Sequence, residues 1–156
     1  MNIRTATSQD SLLLSNLCQD VQRLHAKHHP DIFKIPATDD FAVAFFDEMM
    51  ADKNVTAFIA EENGHAIGSI LCRLIERPEG PFTLPMRYVL IDQISVRPLE
   101  QGSGIGTALM KKAEEYAREL AVDKIQLDSW GFNTKAHAFF EDKGFDKFNF
   151  RFWRKI

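Results

Sequence analysis

Six residues, Gln101-Gly102-Ser103-Gly104-Ile105-Gly106, stand between a strand-like apolar run and an amphipathic stretch. The run, Tyr88-Val89-Leu90-Ile91-Asp92-Gln93-Ile94-Ser95-Val96, is rich in β-branched residues and ends at Arg97-Pro98. The stretch after it spaces Ile105, Leu109, Ala113, Tyr116 and Leu120 as one helical face, with Lys111, Lys112, Glu114, Glu115 and Arg118 between them. A strand that turns through glycines into a helix aims several free backbone N–H groups at one point. The helix dipole adds partial positive charge there, so the turn suits an anion, most naturally a phosphate. A Walker loop would end in Gly-Lys-Ser/Thr, but Gly106 is followed by Thr107-Ala108. A dinucleotide fingerprint would need its third glycine at Thr107. What remains is Gln/Arg-x-x-Gly-x-Gly/Ala, met by Gln101, Gly104 and Gly106.

A second signature lies downstream. Past the strand candidate Lys124–Trp130 come Asn133, Ala136, the pair Phe139-Phe140, and Gly144-Phe145. Asn133 reads as a helix N-cap, Gly144 as the C′ stop, and Phe145 as the start of another strand. Together the two signatures resemble the GCN5-related N-acetyltransferase (GNAT) superfamily from Tyr88 to Phe145. The residues before Tyr88 carry only a general resemblance.

The resemblance implies an acetyltransferase that uses acetyl-coenzyme A as co-substrate; the buried thiols and the want of a leader or membrane-length run point to a cytoplasmic protein. The coenzyme pyrophosphate would lie on Gln101, Gly102, Ser103, Gly104, Ile105, Gly106 and Thr107. The pantetheine arm would meet backbone groups of Ile94 and Val96, the Asn133 side chain and the Phe140 ring. The resemblance further implies direct attack by an amine within a ternary complex, without an acyl-enzyme.

Such a transfer needs an amine freed of its proton, a donor to the developing oxyanion and a stabilised leaving thiolate. Asp92, the carboxylate inside the strand leading to the turn, is the candidate base, at a position where some family members carry a glutamate. The alternative is a structural ion pair with Arg73 or Arg87. Phe140 departs from the family pattern, which often has a tyrosine acid there; Tyr88, Tyr116, His137 and Ser129 are substitutes by residue type only. A thiol of pKa about 8.5 is a fair leaving group without such an acid.

The elements expected around these residues follow the order β-α-α-β-β-β-α-β-α-β-β. This is an α/β plan whose resemblance implies a mixed, mostly antiparallel central sheet with helices on both faces. Asn2–Ala6 reads as a strand, and Thr7 with Asp10 as a capping box. The helix that follows buries Leu13, Leu17, Val21 and Leu24 and stops before Pro30. A second helix spans about 39–50, burying Val43, Phe46 and Met50. Val55–Glu61 and Ala66–Ile75 form a hairpin with Asn63-Gly64 at its tip. After Phe145, alternation of Phe148, Phe150 and Phe152 predicts a terminal strand pair.

The chain has 156 residues, 45% of them hydrophobic, and a net charge of −3. That length fits one domain over residues 1–156. The acidic balance argues against a nucleic-acid or anionic-membrane partner. Cys18 and Cys72 sit in apolar patterns and read as buried free thiols. Met1-Asn2-Ile3-Arg4 opens no apolar leader segment, and no run approaches membrane-spanning length. His25, His28 and His29 cluster without a ligand partner at metal spacing, so no metal site is expected. The acceptor is a small-molecule or peptide amine, read by residues 29–38, the second helix and residues 77–85, and a homodimer is admitted. The rival reading is a coenzyme A-binding sensor or interaction domain with little transfer activity, and a nucleotide-binding domain stands third.

Overall fold

The strand-forming runs pair in the order in which they occur along the chain. The computed structural model describes all 156 residues. Its sheet runs β1 (Asn2–Thr5), β2 (Val55–Glu62), β3 (His65–Arg77), β4 (Met86–Val96) and β5 (Ile125–Leu127), in that spatial order. Only the β4–β5 pairing is parallel, so the sheet is mixed and mostly antiparallel, as expected. The β2–β3 turn places Asn63 at φ 51° and Gly64 at φ 79°. Both are left-handed, the conformation an Asn-Gly hairpin turn needs.

Helices cover both faces. On one, Leu14, Leu17 and Cys18 of α1 (Ser11–His28) and Phe46 of α2 (Val43–Ala51) pack on Ala57, Ile59 and Leu71. On the other, Ile105, Leu109, Met110 and Ala113 of α3 (Ile105–Glu119) pack on Phe58, Ile70, Cys72, Val89 and Ile91. β2 therefore sends alternate residues into two cores, which is why Ala57–Ala60 are apolar without alternation. A Cβ at Gly68 would sit 2.8 Å from the Ser95 carbonyl and 3.3 Å from Ile105 and Leu109. Glycine there lets the first turn of α3 lie on the sheet. The two cysteines are free and buried, and burial pushes the thiol of Cys18 up to about 11 and that of Cys72 to about 12. No helix is long and apolar enough to cross a membrane.

The capping box forms: the Thr7 N–H donates to Asp10 Oδ2 at 2.7 Å, and the Gln9 N–H to Thr7 Oγ1 at 3.3 Å. Arg4 adds two bonds to the same carboxylate at 2.8 and 2.9 Å. Chiefly through Arg4, Asp10 is held down at about 2. A carboxyl depressed in the folded state contributes fully above its unfolded pKa and loses that contribution as pH falls through the folded one. The expected loss is on the order of 1–2 kcal/mol between about pH 5 and pH 2. Thermal unfolding across that range, compared with Asp10→Asn, measures it; an equal acid slope in the variant would show that the pair is inert.

Three expectations are corrected. The second helix begins at Val43 rather than near residue 39, because residues 39–42 form turns whose backbone is tied to α1. Ser15 Oγ donates to the Asp39 carbonyl at 2.7 Å and accepts from the Ala42 N–H at 3.1 Å. On α1, Leu24 is 38% exposed, while Leu14, Cys18 and Ala26 are buried; the buried stripe is rotated from the expected one. The terminal strand pair is absent. Phe145 turns back on Phe140, and residues 145–156 pair with no strand. Phe148, Phe150 and Phe152 stay 65–89% exposed; the alternation is present, but no facing layer receives it.

Candidate active site

The site is built where β4 loses its neighbour. β5 pairs with β4 only from Val89 to Ile91, the last pair being Ile91 with Leu127. Just beyond, the β3–β4 register shifts: Cys72 faces Ile91 and Leu71 faces Gln93, so Asp92 is the extra residue of a β-bulge. An extra residue reverses which backbone groups point to which side. The Arg97 N–H donates to Ile67 on the β3 side at 2.9 Å. Val96 therefore points the other way, and its carbonyl takes the Gln101 side-chain N–H at 3.2 Å. Ile94, two residues earlier, shares that direction. The bulge thus presents the backbone of Ile94 and Val96 at an open strand edge, where an extended amide-bearing arm could pair.

The turn that follows is held by glycines in left-handed conformations, Gly102 at φ 87° and Gly104 at φ 89°. The first helical bond of α3 runs from Ala108 to Gly104 at 3.0 Å. The N–H groups of Gly102, Ser103, Gly104, Ile105, Gly106 and Thr107 have no backbone acceptor in the chain. Six consecutive donors at the positive end of a 15-residue helix make a site for an anion. Gly106 has a separate reason to be glycine, since a Cβ there would meet the Phe139 ring at 3.3 Å.

Sequence reasoning missed Lys135. On α4 (Thr134–Asp142), it donates to Gln101 Oε1 at 2.7 Å and so brings a cation to the turn. One signal for it was available: a lysine in a helix's first turn opposes the dipole and calls for a nearby anion. Asn133 caps α4 by accepting the Ala136 N–H at 3.3 Å.

Asp92 is the ion-pair partner of Arg73, whose Nη2 lies 2.7 Å from one carboxylate oxygen and 2.6 Å from the other. The Asp92 side chain is 18% exposed, and the second contact is out of line, leaving Oδ2 and Arg73 Nε buried without a hydrogen bond. The Arg73 pKa is raised, chiefly by its hydrogen bond to Asp92. Arg87, the other partner considered, pairs with Glu76 at 2.8 Å instead. Phe140 is 9% exposed and packs in the main core with Phe139 and Phe145, at ring separations of 5.5 and 6.0 Å. Two of the four substitutes by residue type are engaged elsewhere: Tyr88 is buried in that core, and the Tyr116 hydroxyl takes the Thr56 hydroxyl at 3.2 Å. No group of three or more His, Cys, Asp or Glu side chains is arranged to hold a metal ion.

With this geometry in hand, comparison with known sequences decides the family. A profile described as the acetyltransferase (GNAT) family matches residues 18–145, most of the chain and all of the site. The chain belongs to the GNAT acetyltransferase family. Among GNAT relatives, it is 25% identical over 148 residues to an uncharacterized N-acetyltransferase, YhfO, of Bacillus subtilis, covering 94% of this chain and 91% of that one. It is 42% identical over 57 residues to an L-2,4-diaminobutyric acid acetyltransferase of Nocardia farcinica, covering 36% of this chain and 26% of that one. In fold it is similar to a tetramutant of the BH1408 protein from Bacillus halodurans, with a TM-score of 0.91, 24% identity and full coverage of both chains. It is also similar in fold to aminoglycoside N-acetyltransferase AAC(6')-Iy in complex with CoA, with a TM-score of 0.76 and 19% identity over 99% of this chain and 93% of that one. Family membership supports acetyl transfer in general and implies acetyl-CoA as the donor.

Proposed function

We propose that residues 1–156 form a single acetyl-CoA-dependent N-acetyltransferase domain that acetylates a primary amine by direct attack in a ternary complex. The observation that carries this is the pairing of the outward-facing Ile94–Val96 edge with the six unpartnered N–H groups of Gly102–Thr107. One suits the amide-bearing pantetheine arm and the other its pyrophosphate, and Lys135 adds charge beside them. In the reaction the amine nitrogen forms a bond to the thioester carbonyl carbon and the carbon–sulfur bond breaks. The ammonium proton passes to Asp92, directly or through water, to free the amine for attack; the nitrogen gives its second proton to solvent as the tetrahedral adduct collapses, and the thiolate leaves to be protonated by solvent. A small-molecule amine acceptor is in keeping with the aminoglycoside acetyltransferases among the structural neighbours and with the diaminobutyric acid acetyltransferase among the relatives.

Thiol release from acetyl-CoA, measured with a panel of amines, tests the proposal. Amine-dependent release with one acetylated amine formed per thiol is the expected result. Tight coenzyme A binding with no release under any amine would favour the second reading, a coenzyme A-binding sensor. Phe140 motivates that reading, because it leaves the usual position of the acid without a hydroxyl.

Phe140→Tyr separates the two further. Deprotonating an amine of pKa about 10 is a harder demand at neutral pH than expelling a thiolate, so the tyrosine variant is expected to stay within about twofold of wild-type kcat. A gain of about tenfold or more would mean that this chain is impaired in transfer by the missing acid. Phe140→Ala is a poor substitute for this test, since emptying a core position costs about 3–5 kcal/mol.

A further inference from the structure

Six rings that the site above does not use meet at the C-terminal end of α1. His25 stacks on Phe33 at 4.9 Å, and His28 lies on Phe132 at 4.2 Å with their planes 5° apart. His29 leans on Trp130 at 5.1 Å and on Phe132 at 5.5 Å, and Phe33 meets Trp130 edge-on at 4.9 Å. The sheet register locates this cluster. Leu127 is level with Ile91, and Trp130 follows three residues later, within about 10 Å of chain. It therefore lies just past the last β4–β5 pair, at the end of the sheet where β4 continues without that neighbour. Phe132 directly precedes Asn133, whose N–H donates to the Trp130 carbonyl at 2.9 Å. The cluster thus stands at the end of the sheet where β4 runs on without β5, the end that carries the candidate site.

Its chemistry is apolar. Trp130 is 38% exposed and His28 is exposed, so ring surface faces water instead of being sealed into a core. Burial, with the neighbouring His29, holds His25 below the usual imidazole range. Leu24, Ile32 and Ile35, on the same turn and the segment after it, are 38%, 52% and 73% exposed. Asp39 and Asp40 are held by neutral donors, Gln19 at 2.6 Å and the Thr38 hydroxyl. Asp31 and Asp128 are the exposed acids nearest the cluster in sequence.

We infer that this cluster selects the acceptor, a primary amine carried on an aromatic or otherwise apolar body, over polycationic amines. The inference rests on the acetyltransferase reading and goes beyond it by naming the acceptor class. Ring faces offer such a molecule both stacking area and a cation–π contact for its single ammonium. The rings themselves carry no carboxylate, so a polycation would have to find partners for its further charges outside the cluster.

Thiol-release kinetics with 2-phenylethylamine, spermidine and kanamycin test this. The expected result is a kcat/KM for 2-phenylethylamine at least about tenfold above the others. Trp130→Ala and Phe33→Ala should each raise its KM about tenfold while the KM for acetyl-CoA stays within about twofold. A preference for spermidine or kanamycin, or a parallel rise in the acetyl-CoA KM, would overturn the assignment. A binding measurement keeps the outcome clear if no amine releases thiol or if the variants do not fold. With Trp153→Phe, Trp130 is the remaining tryptophan. Its fluorescence, with coenzyme A present, should respond to 2-phenylethylamine and not to spermidine. Absence of amine-dependent thiol release alone would remove the transferase reading. Silence of Trp130 toward 2-phenylethylamine would remove this one.

Discussion

Gly104→Val is expected to weaken coenzyme A binding about a hundredfold or more while the chain still unfolds cooperatively. The reason is conformational. Gly104 sits at φ 89°, and a Cβ there would meet nothing within 4 Å, so no clash contributes. A β-branched residue in the left-handed region is unfavourable by about 1–2 kcal/mol, and the chain can relieve that by opening the turn. Opening redirects the N–H groups of Gly102–Thr107, which now stand without backbone acceptors at the start of α3. Each hydrogen bond to a charged group is worth about 1.5–3 kcal/mol, so losing two reaches the stated factor. Calorimetric titration with coenzyme A and a thermal melt are the measurements. Wild-type affinity in a variant with an intact melt would mean that the phosphate is held elsewhere.

The second large effect is expected at Asp92. Asp92→Asn keeps the shape of the side chain and removes its basicity, so kcat should fall by about a hundredfold. Coenzyme A affinity should hardly change, because the glycine turn begins nine residues further on, at Gln101. The Arg73 contact gives the competing account definite consequences. If Asp92 serves only that ion pair, kcat stays within about twofold and the loss appears in stability instead. Arg73→Met sharpens the contrast. It leaves a carboxylate, 18% exposed, without its cation, and unfolding stability should fall by about 1–3 kcal/mol. A base that acts on the acceptor would retain activity in that variant below its melting temperature. A purely structural aspartate would show equal stability losses in both variants and no change in the pH profile of kcat.

Much of this site was legible because it depends on short stretches of chain. Left-handed backbone at Gly102, Gly104 and Gly144, the Asn133 cap and the Thr7–Asp10 box are settled by residue type within a turn or two. So is the buried stripe of α3 at Ile105, Leu109 and Ala113. These are local choices among few backbone conformations, and glycine, asparagine and aspartate announce them.

Where sequence reading went astray, two parts of the chain had to meet. Alternating phenylalanines after Phe145 describe a strand but cannot supply its partner, and β5 contributes three residues of edge at most. Leu24 fits the apolar stripe of α1 by spacing, yet the layer beneath the helix meets Leu14 and Cys18 instead.

The amino-acid sequence by itself determined the left-handed glycine turn, the Thr7 and Asn133 caps, the order of the elements as far as α4 and the family pattern they carry. The tertiary structure alone decided that Asp92 is the bulged residue and faces Arg73, that Lys135 reaches Gln101, and that three histidines stack with Phe33, Trp130 and Phe132. Each of these joins residues 19 or more positions apart along the chain, apart from Phe33 and its neighbouring histidines. Such contacts depend on strand register and helix placement, where a shift of a single residue exchanges one face for the other.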